Sequence, residues 1–371
     1  MKCLFWGSAL LIVYAFVGYP GLLFLRSRWR ARAVRKSPIL PSVSVVMAVH
    51  NEARVLPAKL NNLAELDYPA DQLEIIVTSD GSSDQTENIV AARASERLRL
   101  VAFPQREGKA CALNRGVRVA QGEIVLFTDA RQLIAPDAIR QLVANLADAS
   151  VGCVSGELIL GELGAGSSNG FGLYWSLEKM IRQWESLTGS VIGATGALYA
   201  IRRDLLVPLP AGTILDDVYL PLYVTRQGQR VVFEPKARVY DQVAPSQREF
   251  RRKVRTLFGN YQLVQLAPWL LTRSNPVLWD YISHKLLRLI APFGLVALLV
   301  SSLLIRSSFY QAVLALQVVF YAFAALTIFG RPRPAIIARL AEGAATFLVL
   351  NAAAVVAFYF FLSGKREVWV R

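Results

Sequence analysis

The stretches EIIVTSDGSSD (74–84) and EIVLFTDAR (123–131) decide the fold of this chain. Each is an apolar, β-branched run of the kind found in buried strands, and each run ends at an aspartate, Asp80 in the first and Asp129 in the second. Ligands of open α/β sheets bind beyond the carboxyl ends of the strands. We therefore expect both aspartates to face one crevice, which becomes the candidate site.

Strand and helix patterns alternate from Val43 to about residue 200. Such alternation implies right-handed crossovers and a largely parallel sheet. From residue 173 onward the pattern is mostly helical, interrupted by a glycine-rich apolar run at 190–203 and by one further strand at 230–234. The predicted strands of the first part are 43–49, 73–79, 98–102, 123–128 and 151–156, and the predicted helices are 54–65, 84–95, 109–119 and 135–147.

The two ends of the chain are far more apolar than its middle. Of the 371 residues, 54% are hydrophobic, and the mean hydropathy is +0.37, which is high for a soluble protein. Residues 5–25 carry no charge, and about 20 apolar residues are enough for a helix to cross a bilayer. Three further spans are predicted at about 287–305, 309–329 and 344–362.

The basic run RSRWRARAVRK (26–36) directly follows the first apolar segment and contains no acidic residue. Under the positive-inside rule this run stays cytoplasmic, which makes the segment an uncleaved anchor rather than a signal peptide. The net charge of the chain is +14. Two further clusters of basic residues lie at 248–255 and 331–339, again beside predicted spans. Anionic lipid headgroups explain such clusters, and no nucleic-acid-binding motif accompanies them, so nucleic acid is not an expected partner.

The two strand-end aspartates suit the binding of a nucleotide diphosphate. Asp80 lies in a turn with Gly81, where it could accept hydrogen bonds from a base or ribose, although such turns are also ordinary strand-to-helix connections. Asp129 follows a buried strand, where an unpaired carboxylate is costly. A divalent cation shared with a diphosphate would satisfy it, since Mg²⁺ often uses one or two carboxylates plus substrate phosphates. A salt bridge to a neighbouring Arg or Lys is the structural alternative.

Two further predicted helices begin with charged residues, one with a lysine and the other with two aspartates. Lys109 follows Gly108 at the beginning of a predicted helix, where it could contact the same phosphates. Asp216 and Asp217 begin another helix, whose N-terminus favours acidic residues in any case. One of the two could instead serve as a general base for a hydroxyl group. Their spacing alone does not choose between them.

Together and in this order, these segments resemble the membrane-bound inverting glycosyltransferases of family 2, which include the cellulose, hyaluronan and poly-N-acetylglucosamine synthases. The resemblance extends over about 40–265. It implies an α/β GT-A domain, the Rossmann-like fold of nucleotide-diphospho-sugar transferases, with flanking transmembrane α-helices. In this plan residues 1–26 are the N-terminal anchor, 40–245 the cytoplasmic catalytic domain, 246–285 amphipathic interfacial helices, 286–362 about three C-terminal transmembrane helices and 363–371 the tail.

The resemblance also implies roles for individual residues. His50-Asn51-Glu52 matches the family's aromatic-Asn-Glu turn, TDAR (128–131) its D-x-D metal motif and Asp216-Asp217 its Glu-Asp pair. Asp217 would be the catalytic base, and Asp129 would bind Mg²⁺ or Mn²⁺. The implied donor-binding residues are Asn51, Glu52, Asp80, Lys109, Asp129, Arg131 and Arg255, and the implied acceptor-side residues are Gly196, Asp216 and Arg252.

The chain departs from the family pattern at two motifs. Arg131 replaces the second acid of D-x-D, so either Asp129 and the diphosphate hold the cation with waters, or Arg131 neutralises part of the phosphate charge. The family's Q-x-x-R-W motif aligns with 252–256, which keeps the arginine at 255 but has Thr256 in place of the tryptophan. That tryptophan stacks on the growing sugar chain in processive synthases, and its absence argues against processive polymer synthesis.

The sequence therefore predicts an inverting glycosyltransferase that uses a nucleotide-diphospho sugar, with UDP-linked donors favoured, and a lipid-linked or glycan acceptor at the membrane. A processive extracellular polysaccharide synthase and a non-catalytic nucleotide-sugar-binding subunit are the alternatives. The expected location is the inner (plasma) membrane, with membrane lipids and envelope-biosynthesis proteins as partners. Three later spans would leave the basic tail outside, unless a stretch such as 287–305 is interfacial. His284 is expected to be interfacial rather than a ligand or base.

Overall fold

The computed structural model describes residues 1–161, 173–242, 246–329 and 335–364. The centre of the fold is one eight-stranded sheet with the strand order β3-β2-β1-β4-β7-β6-β8-β5. The strands are β1 (Val43–Val49), β2 (Leu73–Asp80), β3 (Leu98–Phe103), β4 (Ile124–Thr128), β5 (Leu133–Ile134), β6 (Val151–Leu160), β7 (Leu198–Arg202) and β8 (Arg230–Asp241).

Strands β1 to β4 form the parallel half of the sheet. β1 lies between β2 and β4, and Val43 is opposite both Leu73 and Ile124. The carboxyl ends of β2 and β4 therefore lie at the same edge, one on each side of β1. This arrangement agrees with the alternation read from the sequence and brings the segments of Asp80 and Asp129 to one crevice.

The other half of the sheet is mixed, which corrects the prediction of a largely parallel sheet. β7 is antiparallel to both β4 and β6, while β6 and β8 are parallel. Strand β7 was not predicted, because its five residues follow a glycine-rich run that hides the strand pattern. The strand predicted at 230–234 continues to Asp241 past Pro235, which lies at a shift of register where the ladder is interrupted.

Helices cover both faces of the sheet. Their apolar sides pack in two clusters of buried residues, one on each face, as expected for an α/β domain. The helices of this domain are α2 (Leu56–Ala64), α3 (Thr86–Ala91), α4 (Lys109–Val119), α5 (Ala138–Asn145), α6 (Leu173–Thr188) and α7 (Asp216–Arg226), and the chain continues into α8 (Ser246–Leu266).

Four helices in the described ranges are long and apolar enough to cross a membrane, in agreement with the four predicted spans. Large apolar side chains such as Leu10, Val17 and Leu316 are exposed on their outer surfaces, as expected for contact with hydrocarbon. The second span begins before the predicted boundary at 285. The four helices are α1 (Lys2–Trp29), α9 (Leu278–Leu304), α10 (Ser308–Phe329) and α11 (Ala335–Leu362).

The membrane helices pack directly on the domain that carries the crevice. Tyr19 and Leu23 of α1 contact Ile181 of α6 in one buried cluster. Val254 and Phe258 of α8 pack against α11 in another cluster. Two elements next to the crevice, α6 and α8, are thus in contact with membrane helices.

Candidate functional site

Lys109 forms salt bridges with two aspartates that come from distant parts of the chain. Its Nζ lies 3.1 Å from Oδ1 of Asp129 and 3.1 Å from Oδ1 of Asp216. The three residues meet because Asp129 directly follows the last residue of β4, while α4 begins at Lys109 and α7 begins at Asp216. Burial alone would lower the pKa of Lys109, but Asp129, Asp216 and Asp217 raise it, so the ammonium stays charged.

The geometry distinguishes the two acids at the start of α7. Asp216 is buried, and its Oδ2 accepts a 2.9 Å hydrogen bond from the hydroxyl of Tyr199, in addition to its contact with Lys109. The carboxylate of Asp217 forms no hydrogen bond or salt bridge with any described residue. It faces the loop before β7, where a Cβ placed on Gly196 would lie 2.8 Å from Oδ2 of Asp217. Asp217 is thus the acid that is available to a substrate.

The environment of Asp217 suits a group that exchanges protons near neutral pH. Burial raises its pKa to about 7, and the charge of Asp216 acts in the same direction. Lys109 and, more weakly, Lys285 oppose this rise. A pKa near the working pH is what an efficient general base requires.

Asp80 shapes the crevice at the end of β2. Its Oδ1 accepts the backbone N–H of Glu107 at 2.7 Å, and its Oδ2 accepts that of Gly108 at 2.9 Å. These bonds hold the segment that leads into Lys109. Gly81 is required beside it, because its φ is +63° and an added Cβ would lie 2.7 Å from the backbone nitrogen of Arg106. A direct contact of Asp80 with a nucleoside stays a prediction.

Asn51 and Glu52 follow β1 at the same edge of the sheet. Asn51 has a positive φ of 55°, which is uncommon for a residue other than glycine, and its Oδ1 accepts the backbone N–H of Ser83 at 2.8 Å. Burial raises the pKa of Glu52, and the charge of Arg131 acts against the rise. The two residues therefore border the crevice between β1 and the turn after β2.

Arg131 is engaged by Asp241 at the end of β8. Its Nε donates to Oδ1 of Asp241 at 3.0 Å and its Nη2 donates to Oδ2 at 2.7 Å, a two-pronged pair with a buried carboxylate. Arg252 of α8 lies 3.7 Å from the same carboxylate. Both arginines are thus near the crevice, whereas Arg255 is exposed on α8 and forms no salt bridge with the described acids.

The donor set around Asp129 fits a cation that is shared with a substrate. Within the described ranges, no group of three His, Cys, Asp or Glu side chains is preformed for a metal ion. The carboxylate of Asp129 is part-exposed, and Arg131 is bound to Asp241 rather than to it. One carboxylate plus diphosphate oxygens and waters is a common Mg²⁺ environment.

Sequence reasoning missed Lys59, which lies beneath the segment of Asp129. It is fully buried in α2, and its Nζ donates to Oγ1 of Thr128 at 2.9 Å and to the carbonyl of Gln132 at 2.6 Å. Burial lowers its pKa to about 7, against the charge of Asp129. The only available signal was a lysine at an apolar position of the helical pattern LPAKLNNLA (56–64).

His284 is buried, which corrects the expectation of an interfacial residue. Its Nδ1 lies 2.6 Å from Oε1 of Glu185, and its Nε2 lies 2.7 Å from Oε1 of Glu178. Both ring nitrogens can donate only when the ring carries both protons. Tyr19 of α1 also donates to Glu185, at 2.8 Å. A polar network thus links α1, α6 and α9 beside the crevice.

Replacement of Gly196 by alanine is expected to lower kcat by about 10²-fold with little change in the donor KM. The added methyl group would press on the Asp217 carboxylate at 2.8 Å and displace this predicted base, and misplacement of a catalytic group by about 1 Å costs about that factor. Steady-state kinetics of Gly196→Ala against Gly189→Ala checks this. At Gly189 the new Cβ meets only Nη2 of Arg26 at 3.9 Å. Equal rates for the two variants would contradict the placement.

Residues 44–207 match the family model described as "Glycosyl transferase family 2". A solved structure, "Mannosyltransferase PcManGT from Pyrobaculum calidifontis in complex with GDP-Man and Mn2+", superposes with a TM-score of 0.74 and 25% identity. The superposition covers 98% of this chain and 100% of that chain. The similarity therefore includes the membrane-type helices as well as the sheet.

Curated relatives show weaker and partial similarity. "Probable glycosyltransferase YdaM" of Bacillus subtilis (strain 168) is 28% identical over 258 residues, which are 65% of this chain and 61% of the relative. "Beta-monoglucosyldiacylglycerol synthase" of Trichormus variabilis is 34% identical over 138 residues, 36% of this chain and 29% of the relative. The chain thus spans less than two thirds of the length of either curated relative.

Proposed function

We propose that this chain, whose residues 44–207 form a glycosyl transferase family 2 domain with the GT-A fold, transfers a sugar from a nucleotide-diphospho donor to an acceptor at the membrane. The observation that carries the proposal is the junction of Lys109 with Asp129 and Asp216, beside the accessible carboxylate of Asp217. A non-catalytic subunit would need neither a charge-balanced diphosphate site nor a base with a pKa of about 7.

The donor binds along the edge formed by β1, β2 and β4. Asp80, Asn51 and Glu52 border the nucleoside end, and the N-terminus of α4 presents Lys109 to the diphosphate. A divalent cation bound by Asp129 together with the diphosphate would neutralise the charge that develops on the leaving group. The solved relative contains GDP-Man and Mn2+, which makes GDP-linked donors candidates beside the UDP-linked donors that the sequence favours.

Asp217 removes the proton from the acceptor hydroxyl as that oxygen attacks the anomeric carbon. Its carboxylate is the proton acceptor, and Gly196 leaves room for the acceptor beside it. Asp216 does not take this role, because Tyr199 and Lys109 already engage both of its oxygens. Attack opposite the departing diphosphate inverts the configuration of the sugar.

The acceptor is a membrane lipid or a lipid-linked glycan. Four apolar helices flank the domain, and two of the elements beside the crevice pack on them. The printed name of the relative from Trichormus variabilis is that of a glycolipid synthase, which supports the same acceptor class. The basic run at 26–36 favours an orientation with the GT-A domain in the cytoplasm of a multi-pass inner-membrane protein.

Membranes that contain the protein, incubated with labelled UDP- and GDP-sugars and with Mg²⁺ or Mn²⁺, test the proposal. An Asp217→Asn preparation of matched expression runs in parallel, and products are sized after lipid extraction. We expect label in a short lipid-soluble product with one class of donor, lost in the variant. A long ladder would instead support the processive polysaccharide synthase. Equal signals from the two proteins across the whole panel, with nucleotide binding intact, would favour the non-catalytic subunit.

A further inference from the structure

A cavity of about 180 Å³ lies where the GT-A domain meets the membrane helices. Its apolar wall includes Phe16 of α1, Leu257 of α8, Leu289 of α9 and Phe347 of α11. The apolar wall therefore draws on three of the four helices that are long and apolar enough to cross a membrane, together with α8. This membrane-side cavity is separate from the diphosphate site, since none of its lining residues contacts Lys109 or Asp129 in the described structure.

The polar side of the membrane-side cavity carries an excess of positive charge. Lys253, Lys285 and Arg288 line it together with His284, and Glu178 is the only acid among the described lining residues. Glu178 already accepts from Nε2 of His284 at 2.7 Å and from Nη1 of Arg288 at 2.8 Å. Burial would raise the pKa of Glu178, but these two cations hold it well below its usual range. The acid is thus fully engaged.

Lys285 makes no direct ion pair with a described acid, although Glu178 and Glu185 attract its ammonium through space. It is half-buried in the π-helical turn Ile282–Leu286 of α9, donates no hydrogen bond and forms no salt bridge with any described residue. Lys253 lies 3.5 Å from Glu249 and 4.6 Å from the centre of the Trp175 ring, at the other side of the same cavity. An ammonium such as that of Lys285, held away from bulk water without a direct carboxylate contact, is costly. An anion in the cavity would remove this cost.

The cavity connects to the base through α6. Arg182 lies one helical turn after Glu178, about 6 Å along the axis. Its Nη1 donates to Oγ1 of Thr195 at 2.8 Å, directly before Gly196, which faces Asp217. Helix α6 therefore links the wall of the cavity to the loop that faces Asp217.

We propose that the membrane-side cavity binds the phosphate of a lipid-phosphate acceptor that also carries a free hydroxyl, with Lys285 and Lys253 as its anion contacts and the apolar wall against the lipid chain. The inference rests on the proposed transfer to a membrane acceptor and names its chemical class. The two lysines satisfy the phosphate oxygens, and Arg288 adds charge from the Glu178 pair.

Native mass spectrometry of the full chain in detergent tests the site by binding alone. The probes are a polyprenyl phosphate, phosphatidylglycerol and inorganic phosphate, and the proteins are wild type, Lys285→Met, Lys253→Met and Arg306→Met. Arg306 is exposed just beyond the opposite end of α9, about 30 Å from Lys285 along the helix. We expect one bound polyprenyl phosphate in wild type and Arg306→Met, with affinity about 10- to 100-fold lower in Lys285→Met.

Other outcomes of the binding experiment overturn the inference. Phosphatidylglycerol bound as tightly as polyprenyl phosphate would indicate a general lipid-headgroup contact. Inorganic phosphate that competes with polyprenyl phosphate at equal affinity would show that the apolar wall contributes nothing to binding. Unchanged binding in both Lys285→Met and Lys253→Met would remove the two contacts from the site. Unchanged nucleotide binding by each variant shows that the variant is folded.

Kinetics separate failure of this inference from failure of the proposed function. With a lipid-phosphate acceptor at varied concentration and saturating donor, Lys285→Met is expected to raise the acceptor KM about 10-fold or more and to leave the donor KM within two-fold. Transfer to the lipid with an unchanged acceptor KM in Lys285→Met would contradict the lipid-phosphate site but leave the proposed function in place. Lysine-dependent lipid binding without any transfer would leave the site in place and remove the proposed function.

Discussion

Asp217→Asn is expected to lower kcat by about 10³-fold while donor binding stays intact. The amide keeps the shape of the side chain but cannot accept the proton of the acceptor hydroxyl. Single-turnover and steady-state assays on purified protein measure the effect, and calorimetric titration with nucleotide diphosphate measures binding. A variant that keeps a tenth or more of wild-type kcat would remove Asp217 from the role of base.

The pH dependence of the wild type follows from the same carboxyl group. Because burial and Asp216 raise the pKa of Asp217 to about 7, the base is protonated and inactive in acid. We expect kcat/KM to level off above pH 7 and to fall about ten-fold per pH unit below it, as for a single ionisation. The residual activity of Asp217→Asn should lack this step. A wild-type profile that is flat between about pH 5.5 and 8 would contradict the assignment.

The stability of Asp217→Asn provides an internal control for folding. The folded pKa of about 7 lies above the ordinary value of 3.8, so the folded state binds this proton more tightly than the unfolded state does. Ionisation of Asp217 therefore costs stability as the pH rises from about 4, and the cost is complete above about 7. The neutral amide avoids the cost, and the variant is expected to melt no lower than wild type at about pH 8. Lost activity with unchanged or higher stability then reports on chemistry.

Lys109→Met is expected to lower kcat/KM for the donor by about 10²- to 10³-fold, the usual effect of removing one group that stabilises developing negative charge. Lys109 is the first residue of α4, and its ammonium lies 3.1 Å from both Asp129 and Asp216. Without it, the diphosphate meets three carboxylates with less positive charge nearby. Donor titration and initial rates at varied donor concentration measure the loss.

The pH profile of Lys109→Met distinguishes a local electrostatic effect from misfolding. Lys109 lowers the pKa of Asp217, so its removal is expected to move the acid limb of kcat/KM to higher pH. Arg118→Met is the matched control, because Arg118 is an exposed cation in the last turn of the same helix. The control should keep both the wild-type rate and the wild-type midpoint. An unmoved midpoint in Lys109→Met would contradict the coupling of Lys109 to the base.

Much of the parallel half of the fold could be predicted from the sequence. The strands that end near Asp80 and Asp129 are continuous apolar runs, which a sheet covered on both faces requires. The four spans were recognisable because an uncharged apolar run of about twenty residues matches the length that a helix needs to cross a bilayer. Strand β7 and the extension of β8 were missed, since glycines and Pro235 disguise short or interrupted strands.

The candidate site could be predicted only as a set of residue types. Lys109, Asp129 and Asp216 were singled out by their positions at strand and helix ends, but their contacts depend on how β4, α4 and α7 meet. The choice of Asp217 over Asp216 needed the hydroxyl of Tyr199, which occupies the neighbouring acid. The pairing of Arg131 with Asp241 was likewise invisible, because the two residues are 110 positions apart.

The class of fold, the membrane segments and the charged groups at the ends of the elements could be read from the sequence, because they follow from local periodicity and hydropathy. Which of those groups meet depends on the packing of distant segments, as for Lys59 beneath Asp129 and for His284 between two glutamates. The cost of burying a charge depends on neighbours brought together by the whole fold, and no local pattern records them.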